Sequence, residues 1–167
     1  MDENTTRTNC HEGGHAVAAI FQRVPFQYVT LDSTSQWAQL GHKLLVDWAC
    51  DNATLDQIVN RSVVALAGPY AESVITRQAV DTSGPDRDAI CRLLQSYEPN
   101  HTARDSLWRY IQDKTVALVH AHWSFIVLTA EFLEQHRTLS RKWLVTELFK
   151  LSNDVGPIMD DYATYLC

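Results

Sequence analysis

The chain is poor in several features that would assign it to a class at once. Its four cysteines stand at 10, 50, 91 and 167, and no two form a CxxC pair. Zinc-ribbon and thioredoxin-like motifs are therefore missing from the sequence. Basic residues are in deficit, with fourteen Lys and Arg against twenty Asp and Glu and a net charge of −6. Phosphate binding needs a basic surface, so no nucleic-acid partner is expected. No GxxxxGK[ST] occurs, so the sequence carries no P-loop. There is no internal repeat and no low-complexity segment. Met1 to Cys10 is polar and lacks the apolar stretch of a secretory signal. Together with the cysteine pattern, this predicts reduced thiols and a cytoplasmic protein.

The longest apolar stretch is Thr115 to Leu133, about the length of a membrane span. It holds His120, His122, Ser124 and Glu131, and polar groups within a span are expensive. It reads as a buried core helix, and no membrane span is expected. Hydrophobic residues make up 46% of the 167 and charged residues 20%, which excludes disorder and supplies a core. The expectation is a single domain over 1–167, with 155–167 as a C-terminal tail.

The pattern is mostly helical. Asn4 to Arg23 carries apolar residues at Val17, Ile20, Phe21 and Val24, and Pro25 ends it. Gln27 to Asp32 alternates and is β-branched, as a strand does. Ser33 to Gln36 reads as a turn and Ala38 to Val46 as a second strand, so an antiparallel hairpin is predicted. Thr54 opens a helix towards Thr76 that Gly68-Pro69 should interrupt. Further helices are predicted over Pro85 to Ser96, Arg104 to Gln135 and Ser140 to Leu151.

Chemistry concentrates in the first helix, at His11-Glu12-Gly13-Gly14-His15. At about 100° per residue, positions i and i+4 lie about 40° apart, so both imidazoles face one point. Neutral imidazoles are good zinc ligands. Glu12 falls beside that point, where it can take a proton from a metal-activated water. His120 and His122 lie about 200° apart on a helix and cannot share a metal. They are expected in the core or at an interface. The two glycines cost helix stability, about 1 kcal/mol each, and are explained if something packs closely there.

CHEGGHAVAAIF resembles the HEAGHA segment of the FtsH-type AAA+ zinc proteases. PFQYVTLDS with AQLGHKLLV is similar to the strand pair that follows the active-site helix in that family. SVVALAGPYAESVI resembles its helix ending in Gly-Gly-Arg-Ala-Ala-Glu. TSGPDRDAICRLL resembles its Gly-Ala-x-x-Asp-Leu segment, and AEFLEQHRTLSRKWLVTEL its late leucine-rich helix. These segments occur in the family's order over most of residues 8 to 148.

The resemblance implies a mainly α, FtsH-peptidase-like helical domain with a small antiparallel β-hairpin. It implies zinc held by His11 and His15, with Glu12 as general base. The family's third ligand, an Asp, falls on Asp88; Asp86 and Asp81 are rivals nearby. Glu72 is the other candidate, as an alternative ligand or as a carboxylate behind the ligands. The strand holding Leu40, Gly41, His42 and Lys43 would bind an extended peptide by main-chain pairing. The activity implied is that of a zinc metalloendopeptidase on flexible or unfolded polypeptide, independent of ATP because the sequence carries no motor. Partners implied beyond the substrate are further copies of the chain or a separate AAA+ ATPase. A peptide-binding or adaptor module that keeps zinc is the alternative from another class. Gly68-Pro69-Tyr70 departs from the family's Gly-Gly-Arg.

Overall fold

Small and apolar residues run unbroken from Ala16 to Phe21, and a helix that is apolar all round belongs inside a protein. The computed structural model, which describes residues 3–31, 53–80 and 85–151, places it there. In chain order its elements are α1 (Glu3–Phe21), β1 (Tyr28–Thr30), α2 (Leu55–Thr76), α3 (Pro85–Tyr97), α4 (His101–Ala121), α5 (Trp123–His136), β2 (Thr138–Ser140) and α6 (Arg141–Leu151). The protein is mainly helical, with a small antiparallel sheet. α1 is the central helix. From Asn9 to Ile20 every residue is buried except His11. α2 packs along one side of α1 and α5 along another, while α4 lies against α2.

Local chemistry explains the start of α2. Thr54 is an extended N-cap whose hydroxyl accepts from the Gln57 backbone N–H at 3.3 Å. The Gln57 side chain accepts from the Thr54 backbone N–H at 3.0 Å, completing a capping box. Ile58, Val59, Ser62, Val63 and Leu66 are buried, as their spacing predicts. The predicted interruption at Gly68-Pro69 does not occur. Pro69 removes one backbone donor, yet the helix runs on to Thr76. Burial on both flanks, by Leu66, Ala67 and Gly68 before it and Ala71 after it, holds the turn in place. Arg77, in the left-handed region at φ 54°, ends the helix.

The strand predicted at Gln27 to Asp32 is present as β1, but its partner here is distant in sequence. β1 pairs antiparallel with β2, in the register Tyr28 to Ser140, Val29 to Leu139 and Thr30 to Thr138. The Thr30 and Thr138 hydroxyls share a hydrogen bond at 2.7 Å across 108 residues of chain. Val29 and Leu139 turn inward and are buried. The predicted second strand, Ala38 to Val46, lies outside the described residues, and with it Leu40, Gly41, His42 and Lys43.

The single helix expected from Arg104 to Gln135 is two. α4 and α5 meet at His122 with a bend of 72°. No Pro or Gly marks the break. His122 closes α4 by donating its backbone N–H to Leu118 O at 3.0 Å, and its own carbonyl accepts from Phe125 N at 3.0 Å to open α5. Its ring stacks on Phe21 of α1, with centroids 3.6 Å apart. The contact is tertiary, which is why helical periodicity alone does not mark the bend. Among the described residues no single helix is long and apolar enough to cross a membrane.

Candidate metal centre

The i, i+4 geometry of α1 brings His11 and His15 together as the spacing requires. Their ring centroids are 4.7 Å apart with planes at 78°. Their Nε2 atoms face each other at 3.1 Å. His15 is buried, and His11 keeps 25% of its side chain exposed, so the pair sits where the central helix meets the surface. Glu12, 3% exposed, is among the most buried carboxylates in the described fold.

The opposite edges of both rings are engaged by α2. His15 Nδ1 lies 2.7 Å from the Val64 carbonyl oxygen. A carbonyl only accepts, so His15 carries its proton on Nδ1. His11 Nδ1 lies 3.0 Å from Glu72 Oε2. An ionised carboxylate likewise only accepts, so His11 takes the same tautomer. In the neutral rings both Nε2 lone pairs then point into one space, a convergence satisfied by a proton on one ring or by a cation between them. Metal-bound histidines characteristically donate their other ring N–H to a carbonyl or a carboxylate, as both do here. Tetrahedral zinc with bonds of about 2.0–2.1 Å separates neighbouring ligand atoms by about 3.3 Å. The 3.1 Å observed fits that spacing with little movement.

Close approach of α1 and α2 makes this arrangement fit. A Cβ added at Gly14 would meet Ala67 O at 2.6 Å and Ala71 Cβ at 2.9 Å. A Cβ at Gly68 would meet His15 Nε2 at 2.3 Å. At Gly13 the nearest atom is Ile126 O at 3.0 Å, on α5. The paired glycines of the motif therefore face two different helices. The cost they carry in helix propensity corresponds to the close packing expected of them.

Glu72, on α2, joins the pair through Oε2, and its other oxygen is held by Arg7. Arg7 Nε donates to Oε1 at 2.6 Å, and Nη2 lies against the same oxygen. Glu72 thus stands behind His11, on the ring edge that faces away from His15. Asp88 is exposed on α3. Asp81 and the side chain of Asp86 lie outside the described residues. Among the described residues no cluster of three or more His, Cys, Asp or Glu has the geometry to hold a metal ion. Among the described residues, His11 and His15 are brought together with their Nε2 atoms facing each other.

Two participants were not legible as such in the sequence, Arg7 and the Val64 carbonyl. Arg7 precedes His11 by one helical turn, so it shares that face of α1, a signal that helical spacing does contain. A backbone carbonyl leaves no mark on residue identity. His120 is exposed on α4, and His122 packs on Phe21 and Phe125, so neither approaches the pair as a ligand.

No family model and no curated protein matches the chain.

Proposed function

We propose that this chain is a zinc metalloendopeptidase of the FtsH peptidase type, acting without ATP on flexible or unfolded polypeptide. The observation that carries the reading is the His11–His15 pair, with both Nδ1 edges on acceptors and both Nε2 atoms 3.1 Å apart. His11 and His15 would hold the metal, with Asp88 as the proposed third ligand and Asp86 as its nearest rival. Zinc, when bound, supplies the Lewis acidity that activates a water and polarises an amide carbonyl.

The chain's own residues do the remaining work. Glu12 adjoins His11 and takes the proton from the attacking water on its carboxylate, then passes it to the leaving amine. Its burial favours transfer to a nearby reacting group over exchange with solvent. His15 is held in one tautomer by Val64, an arrangement that would present its Nε2 as a donor to a bound metal. Leu40, Gly41, His42 and Lys43 remain the proposed edge for an extended substrate. The proposed location is the cytoplasm, with a homo-oligomer or a separate AAA+ ATPase as proposed partners.

Degradation of casein without ATP tests this. Wild type should cleave, while chelator-treated protein should not. Glu12→Gln should lose about 100- to 10,000-fold in rate and still bind zinc. Failure of wild type to cleave with zinc bound would overturn the self-sufficient peptidase and favour a peptide-binding module. Cleavage that survives both chelator and Glu12→Gln would overturn the zinc chemistry.

A further inference from the structure

Arg7 and Glu72 are 65 residues apart and meet at the ring edge of His11 that faces away from His15. Glu72 has two oxygens and two uses. One oxygen can orient His11 through Nδ1, yet a carboxylate beside a histidine pair is also a zinc ligand by chemistry. The structure shows it committed to the first use. Oε2 accepts from His11 at 3.0 Å, while Oε1 takes Nε of Arg7 at 2.6 Å and contacts Nη2. A rigid guanidinium edge with two donors on one oxygen restrains the carboxylate plane, which a lysine ammonium does not do.

We propose that Arg7 is a positioning residue: through Glu72 it fixes the tautomer and direction of the His11 ring, and so the aim of His11 Nε2. This deepens the zinc reading and rests on it for what His11 then binds. The line of contacts runs from Arg7 to Glu72 to His11, across to His15 and on to the Val64 carbonyl. Its inner end is anchored to backbone in a packed helix. Among the described residues its outer end rests on Arg7, whose side chain is 48% exposed, so Arg7 is the point at which the line can be loosened without opening the core.

The test uses the full chain and the variants Arg7→Ala, Arg7→Lys, Glu72→Ala and Arg7→Ala/Glu72→Ala. Two readouts are taken: ring-nitrogen NMR of the metal-free protein, and Co(II) affinity and absorption in competition with a chromophoric chelator. In wild type, His11 should show the Nδ1–H tautomer, and in Arg7→Ala a mixture. Arg7→Ala should weaken Co(II) about tenfold, at the low end of what residues behind metal ligands contribute. Arg7→Lys should recover part of that loss. In the Glu72→Ala background, Arg7→Ala should have no further effect, because its action passes through Glu72. An unchanged tautomer and affinity in Arg7→Ala would overturn the proposal. So would a loss that persists in full without Glu72, since that marks a structural role. If wild type takes up no Co(II) while the tautomer responds as described, the positioning role of Arg7 is supported and the zinc reading falls.

Discussion

Gly68 of α2 lies against the His15 ring so closely that any side chain there would occupy the ring's own space. A Cβ would come within 2.3 Å of Nε2 and 2.7 Å of both neighbouring ring carbons. Gly68→Ala is expected to push His15 out of line with His11 and to weaken metal binding by about tenfold or more. Chelator competition measures it. Affinity equal to wild type would show that His15 has another place to go.

Gly13 and Gly14 should respond differently to the same change. Alanine gains about 1 kcal/mol in helix propensity at either position. At Gly14 the added carbon meets α2 backbone at 2.6 Å, and backbone in a packed helix does not yield cheaply. Gly14→Ala should destabilise by about 1–3 kcal/mol, the usual cost of overpacking. Gly13→Ala meets Ile126 O at 3.0 Å, where a small shift of α5 relieves the contact, and should be close to neutral. Urea midpoints compare the two, and the reverse order would refute the packing argument.

His122 gives the fold an acid sensitivity of known sign. Burial pushes its imidazole below the ordinary histidine value. The unfolded chain then binds the proton more readily than the folded one, so stability rises with pH across that window. The stabilisation is complete above the ordinary value of about 6.5 and is lost as pH falls from there towards the lowered folded value. His122→Phe keeps a ring against Phe21 and removes the titrating group. Its urea midpoint should change less than that of wild type between about pH 7.5 and about pH 5.5. Equal changes in the two proteins would remove His122 from the acid response.

Thr54 tests how much of α2 is organised locally. Thr54→Ala removes the hydroxyl that caps Gln57 N and should cost about 1 kcal/mol. Thr54→Ser retains the oxygen and should cost little. Thermal or urea unfolding distinguishes them, and equal losses would assign the effect to the missing methyl group.

Cys10 and Cys91 should differ in reactivity. Cys10 is buried beside His11, and burial pushes its thiol up to about 11. Cys91 is exposed on α3. The thiolate is the reactive form. In a background with Cys50 and Cys167 replaced by Ser, an alkylating reagent near neutral pH should modify Cys91 promptly and Cys10 only on unfolding. Mass spectrometry of timed samples reads the order, and early labelling of Cys10 would show that α1 opens locally.

Some of this protein is written in short stretches of sequence. The spacing of His11 and His15 aligns two imidazoles on any helix, because about 100° per residue brings i and i+4 to one face. Ala16 to Phe21 demands an interior helix, and Thr54 with Gln57 marks the start of α2 through contacts three residues apart. The tertiary structure decided what these pieces meet. β1 finds its partner at Thr138 to Ser140 across 108 residues. The bend at His122 comes with stacking on Phe21, and Glu72 reaches His11 across 61 residues with Arg7 at its other oxygen. Local pattern fixes direction along one element, because backbone geometry repeats there. Which carbonyl, carboxylate or glycine stands opposite depends on how α1 and α2 close on each other, and no single stretch of chain contains that information.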